Sequence, residues 1–149
     1  FSKKNNQNAF IYLDTVSIVA PVGIFFGRIA NFINAELYGI ETSLPWAVKF
    51  IRVDDLYRHP SQLYEAFFEG IILFIILFYI YSKNFSTMKH GYLSGYFLLF
   101  YGIFRFLIEF LREPDQHLGL IFNVMTVGQI LCIPLIFIGV FIIKIKKNY

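Results

Sequence analysis

Residues 71–81 read IILFIILFYIY, and residues 130–143 read ILCIPLIFIGVFII. Runs this apolar constrain the fold more than any other feature of the chain. A helix that crosses a bilayer needs roughly 20 mainly apolar residues. Four stretches meet that need, at about 9–32, 63–81, 91–110 and 124–143. Pro21 and Pro134 fall inside two of them, which neighbouring helices in a membrane tolerate. Composition agrees: 57% of the 149 residues are hydrophobic and 15% are charged, whereas soluble domains carry about 25% charged residues. Nineteen phenylalanines exceed what one small aqueous core can hold. The expectation is one all-α integral membrane domain, 1–149, with about four transmembrane helices and a small extracytoplasmic head segment at about 33–62. Cys132 is the sole cysteine, so no internal disulfide can form. No repeat or low-complexity tract is visible. The chain opens at Phe1 in a polar stretch, SKKNNQN, with no initiator Met, and is expected to be a piece of a longer protein.

Orientation follows from lysine and arginine in the short loops. One side carries Lys3, Lys4, Lys83, Lys89, Lys144, Lys146 and Lys147, with no acid among them. The other carries Lys49, Arg52, Arg58 and Arg112, offset by Glu36, Glu41, Asp54, Asp55, Glu113 and Asp115. The lysine-rich side is expected to be cytoplasmic, with both termini on it and loops 33–62 and 111–123 facing outward. Loop 33–62 is too long for a simple turn. Within it, WAVKFI (46–51) suits a short strand. In HPSQLYEA, Pro60 suits the first turn of the second helix and Gln62 suits its cap.

Six ionisable residues fall within the expected spans: Asp14, Arg28, Glu65, Glu69, Arg105 and Glu109. Each costs about 2.5–3.5 kcal/mol at a helix centre, so such residues face the bundle interior and pair. Arg105 and Glu109 are four residues apart, on one helix face. Tyr101 lies one turn before them and Arg112 one turn after. Arg28, Asn31 and Asn34 form a second stripe at spacings of three, ending near Glu36. Two polar stripes at one depth suggest a shared site. Two arginines in it favour an anion, because guanidinium grips phosphate with paired hydrogen bonds. In a membrane, that phosphate belongs to a lipid head group.

The same residues admit a plain structural reading. Arg105–Glu109 is then an ion pair, and the asparagines are interhelical hydrogen-bond glue. Glu65 and Glu69 are expected as pairing partners or interfacial residues. Asp14 is expected to cap or snorkel, and His90 and His117 to lie in loops. His59 fits either helix-start architecture or chemistry. Cys132, mid-span beside Pro134, fits a small apolar filler, since thiolate reactivity needs a polar, accessible setting.

Three blocks in order carry a resemblance. GRIANFINAELYG (27–39), RHPSQLYEA (58–66) and FRFLIEFLREPD (104–115) resemble the signature blocks of bacterial prolipoprotein diacylglyceryl transferases, and MTVGQIL (125–131) resembles that family's final span. Ala30 stands where the family usually has glycine. The resemblance implies transfer of a diacylglyceryl group from phosphatidylglycerol to the lipobox cysteine of a prolipoprotein signal peptide. It implies Arg28, Asn31, Asn34, Glu36 and Gly39 as substrate-binding residues, and Tyr101, Arg105 and Glu109 as catalytic ones. It places the protein in the bacterial cytoplasmic (inner) membrane as a multi-pass enzyme, its site on the extracytoplasmic side. Partners are phosphatidylglycerol, the prolipoprotein and membrane lipids, with no nucleic acid, metal or cofactor expected. The family's histidine–glycine–glycine block has no counterpart here, so the chain resembles the C-terminal portion of the enzyme. The base is then that histidine or an arginine-polarised water. The chain alone is expected to bind phosphatidylglycerol and transfer poorly. The rival readings are an inactive piece, a module that only binds anionic lipid and, more weakly, a transporter, for which no broken-helix repeat is visible.

Overall fold

The computed structural model describes residues 8–84, 88–114, 120–121 and 125–147. Lys3, Lys4, Asp115, His117 and Val124 lie outside the described residues. Among the described residues, four helices are long and apolar enough to cross a membrane: Ala9–Asn34, Ser61–Asn84, Tyr92–Leu111 and Val127–Lys146. The last extends to Lys147. The architecture is that of an all-α membrane protein. Large apolar side chains stand outward on the helices, among them Phe26, Phe78 and Phe137, where lipid tails are the natural solvent.

Leu73, Leu77 and Leu93 form the buried centre where the second and third helices meet. The third and fourth helices touch backbone to backbone. A methyl group on Gly139 would sit 2.7 Å from the Leu99 nitrogen and 2.8 Å from the Gly95 oxygen. Lipid gives apolar helices no reason to associate, so small residues that permit such close approach supply the packing.

Asp14 caps, but the helix it caps is not its own. Its Oδ2 accepts from the Gly91 N–H at 2.6 Å, and its Oδ1 accepts from the Ser94 N–H and hydroxyl at 2.9 and 2.7 Å. The third helix has no side-chain cap from Gly91, its own cap residue, so a carboxylate from the first helix closes its orphan N–H groups. This contact fixes the two helices at the lysine-rich end of the bundle.

The opposite end carries the head. Val48–Lys49 pairs antiparallel with Tyr57–Arg58, so the expected strand within 46–51 is two residues long. Arg58 is the hub. It is buried, donates to Asp54 at 2.7–3.3 Å, to Glu113 at 3.1 Å and to the Gly39 carbonyl at 3.2 Å, and its guanidinium lies 4.8 Å from the Tyr38 ring centre. Arg58 holds the Asp54 carboxyl below its usual range, and Asp54 raises Arg58 in turn. The chain beyond the third helix joins the head as well, because Ile40 N–H donates to the Leu111 carbonyl and Glu113 N–H to that of Tyr38. A second small ladder pairs Leu120–Ile121 with Met125–Thr126.

Gln62 does not cap the second helix, which starts without a side-chain cap. Its amide donates to the Glu36 carbonyl at 2.6 Å, and the Ser61 hydroxyl donates to that of Leu37 at 3.0 Å. Both side chains are drawn across to the segment leaving the first helix, whose carbonyls they satisfy.

Candidate functional site

The first helix ends without glycine. Ala35 takes a left-handed conformation (φ 57°), and Leu37 repeats it (φ 55°). The Ala35 N–H donates to the Phe32 carbonyl at 3.1 Å and the Glu36 N–H to that of Asn31 at 2.9 Å, which closes the helix end in the way glycine usually permits. Strain of about 1–3 kcal/mol per such residue persists only where surrounding structure imposes it, and functional sites are where it gathers. Here the surroundings are Ser61, Gln62 and the buried Gly39. A methyl on Gly39 would meet the Leu111 oxygen at 2.5 Å and the His59 Cβ at 2.6 Å. Gly39 is thus the point where the first helix's exit, the head and the third helix's end pass closest.

Within the bundle, the second helix departs from α-helical form. Ser61–Glu65 is α-helical, and Ala66–Ile72 winds as π-helix, a rare form that clusters at functional sites. Glu69 lies on the π stretch and Glu65 immediately before it, and both are fully buried. Arg28 reaches them from the first helix: Nε lies 3.0 Å from Glu65 Oε2, and Nη2 lies 3.5 Å from Glu69 Oε2. Arg105 reaches the same Glu65 from the third helix, through Nη1 on Oε1. Its Nη2 lies 2.6 Å from Glu109 Oε2, and Arg112 Nη1 lies 3.9 Å from that oxygen. The contacts on Glu65 Oε2 and Glu109 Oε2 are close ion pairs without hydrogen-bond alignment, and Glu69 Oε1 has no protein hydrogen-bond partner. The Glu109 Oε1 accepts from the Thr126 hydroxyl at 3.0 Å.

Three helices therefore contribute to one cluster of three guanidiniums and three carboxylates. Two charges taken from water cost several kcal/mol each unless paired, and the pairing here is shared rather than one to one. The Arg28 and Arg105 side chains keep 17% and 11% exposure, so neither is sealed away. Each guanidinium has five donors in a rigid fork. Carboxylates on one edge orient the fork and leave donors for another ligand.

Of the residues expected at a site, Arg28, Arg105 and Glu109 meet in this cluster. Tyr101 stacks on Phe97, ring centres 5.6 Å apart, and lies within electrostatic reach of Glu69, Arg105 and Arg28. Asn31 is half-buried, and its carbonyl closes the first helix. Asn34 and Glu36 present exposed side chains at the head end. Gly39 is buried in the head seam. Glu65 and Glu69 pair, as one of their two expected readings had it, but they are central rather than interfacial. Cys132 is buried and lies within electrostatic reach of Arg105, Glu109 and Glu69. His59 is buried in the head, its Nδ1 3.2 Å from the Tyr64 hydroxyl, which accepts from Trp46 Nε1–H at 2.8 Å. Trp46 can only donate, so the tyrosine proton is free for His59 Nδ1. Burial pushes the His59 imidazole below its usual pKa.

Among the described residues, a four-helix membrane architecture holds two arginines from separate helices over buried carboxylates, the pairing that ionisable residues within spans require. The chain belongs to the prolipoprotein diacylglyceryl transferase family, whose model matches residues 1–145. It is similar to proteins named phosphatidylglycerol–prolipoprotein diacylglyceryl transferase. The one from Rickettsia bellii is 50% identical over 143 residues, covering 96% of this chain and 54% of the relative. The one from Pseudomonas entomophila is 49% identical over 152 residues, covering 99% and 55%. The chain thus spans about half the length of the curated relatives it matches.

Proposed function

We propose that this chain carries the head-group half of a phosphatidylglycerol:prolipoprotein diacylglyceryl transferase site. The observation that carries the reading is Glu65, which holds Arg28 and Arg105 from two different helices against one buried carboxylate. The transfer forms a bond from the lipobox thiol sulfur to a glycerol carbon and breaks that carbon's bond to a phosphate oxygen. Glycerol phosphate leaves with the bonding pair, and the thiol proton passes to a base. Charge grows on the departing phosphate, and donors fixed in advance in a water-poor site stabilise it most. Arg105 and Arg28 supply those donors. Glu109 holds Arg105 in orientation, and Tyr101, Asn31 and Asn34 bind head-group oxygens. Gly39 and Glu36 shape the entrance at the head. The base is either the family's histidine, which has no counterpart in these 149 residues, or a water polarised by arginine.

The protein sits in the bacterial cytoplasmic membrane with the lysine-rich end inside and the head outside, in keeping with the loop charges. The test uses the chain joined behind the N-terminal portion of the Rickettsia bellii relative. Phosphatidylglycerol labelled in its acyl chains is supplied with a peptide bearing a lipobox cysteine. Label should move to the cysteine peptide and not to its serine counterpart. A well-folded chimera that moves none would overturn the reading. The 149 residues alone should prefer phosphatidylglycerol over phosphatidylcholine and transfer at least tenfold less, since a missing acid–base group typically costs about 10²–10⁴-fold.

A further inference from the structure

Residues 126–129 read T-V-G-Q and open the fourth helix. They form a reciprocal cap. The Gln129 N–H donates to Thr126 Oγ1 at 3.1 Å, and the Thr126 N–H donates to Gln129 Oε1 at 3.1 Å. This is the capping-box arrangement, which fixes the threonine rotamer. It uses the hydroxyl oxygen as an acceptor and leaves its single proton unspent. That proton goes to Glu109 Oε1, 3.0 Å away.

Two further observations tie the cap to Glu109. Thr126, Gln129 and Glu109 are all at least nine-tenths buried. Gly128 lays bare backbone on the carboxylate, for a methyl there would stand 2.6 Å from Oε1 and 2.8 Å from Cδ. The positive end of a helix therefore rests on a carboxylate, a favourable pairing. The other oxygen of that carboxylate, Oε2, contacts Arg105 and Arg112. A carboxylate is planar, so fixing Oε1 sets where Oε2 points.

We propose that Thr126 is a positioning residue of the transferase site. Its hydroxyl fixes Glu109 Oε1, and through Oε2 it sets the angle at which Arg105 presents its fork to the lipid phosphate. Thr126 itself touches no substrate. This inference rests on the proposed transferase reading, and it concerns the hydroxyl rather than the cap.

The test separates the two. Thr126→Gly removes the hydroxyl, and glycine is among the residues that helix caps accept. Thr126→Ser keeps both functions. The 149-residue chain and its variants are placed in nanodiscs of phosphatidylcholine, and capture of a photoreactive phosphatidylglycerol is titrated beside thermal unfolding. Thr126→Gly should weaken capture about tenfold, as loss of one hydrogen bond to a charged group does. Thr126→Ser should stay within about twofold, a difference of only a few tenths of a kcal/mol. In a Glu109→Gln background Thr126→Gly should add almost nothing, because both changes cut the same link. An equal loss in both backgrounds would make Thr126 a structural cap and overturn the proposal. Capture unchanged by Thr126→Gly would overturn it too, while leaving the transferase reading intact. A wild-type chain with no preference for phosphatidylglycerol would sink the transferase reading and this inference together.

Discussion

Oε2 of Glu65 lies 3.0 Å from Nε of Arg28, and its other oxygen takes Arg105. One carboxylate with no solvent exposure thus pairs with guanidiniums from two helices. Breaking a buried pair by removing one partner costs about 3–5 kcal/mol, because the other charge is stranded. Glu65→Gln keeps the shape and takes a carboxylate from both arginines, leaving Arg28 only Glu69 and Arg105 only Glu109. Its thermal unfolding in detergent should fall well below wild type, and below Glu69→Gln, whose Arg28 contact is the longer 3.5 Å. Equal stability of the two variants would refute the view of Glu65 as the hub.

Arg105→Lys keeps the charge and loses the fork. Nη1 faces Glu65 and Nη2 faces Glu109, and a single ammonium cannot span both while also meeting a phosphate. Transfer by the chimera should fall about 10²–10³-fold, the size seen when one preorganised donor is removed from a transition state. Protein level should hold. Near-normal transfer would mean that the pair only builds the bundle.

Much of this was legible in the sequence, and the limits have physical reasons. Four apolar runs give four helices because lipid leaves the backbone no other local solution. Arg105 and Glu109 could be paired by spacing, since both sit on one face of one helix. Glu65 and Glu69 could be marked as pairing residues, but periodicity within a helix does not say which faces of different helices meet. Nothing in AFFEGII distinguishes π-helix from α-helix. The turn after the first helix has no glycine to mark it, so its strained backbone at Ala35 and Leu37 had no signal. Thr126 did have one: T-x-x-Q before an apolar run is a helix-start pattern. Its link to Glu109 depends on tertiary packing, which the pattern does not carry.

Asp14 predicts a stability effect without a site effect. It supplies three hydrogen bonds to the start of the third helix, at the end of the bundle away from the arginine cluster. Asp14→Ala leaves two buried N–H groups and a hydroxyl unmet. Unfolding free energy should drop by roughly 1–3 kcal/mol, read by thermal unfolding. The preference for phosphatidylglycerol over phosphatidylcholine should be unchanged in the folded fraction. A lost preference at full folding would show that this cap governs the site from a distance.

His59 gives the head a dependence on pH. Burial lowers its pKa in the folded protein below the unfolded value, ordinarily about 6.5. The unfolded head therefore binds the proton more readily. By linkage, the stability held by neutral His59 is fully present above about pH 6.5 and is lost as pH falls through the lower folded value. The Tyr64 hydroxyl that donates to Nδ1 must also turn away once both ring nitrogens carry protons. His59 N–H donates to the Ile40 carbonyl, and its own carbonyl accepts from Gly39, so loosening should begin in the strand seam that Gly39 shares with Leu111. Hydrogen exchange of the Gly39, Ile40 and His59 amides should rise from pH 7 toward pH 5, after correction for the intrinsic rate. In His59→Gln, which cannot take up the proton, the corrected exchange should be nearly flat over that range. A slope in the variant equal to that of the wild type would assign the effect to another group and exclude His59 as its source.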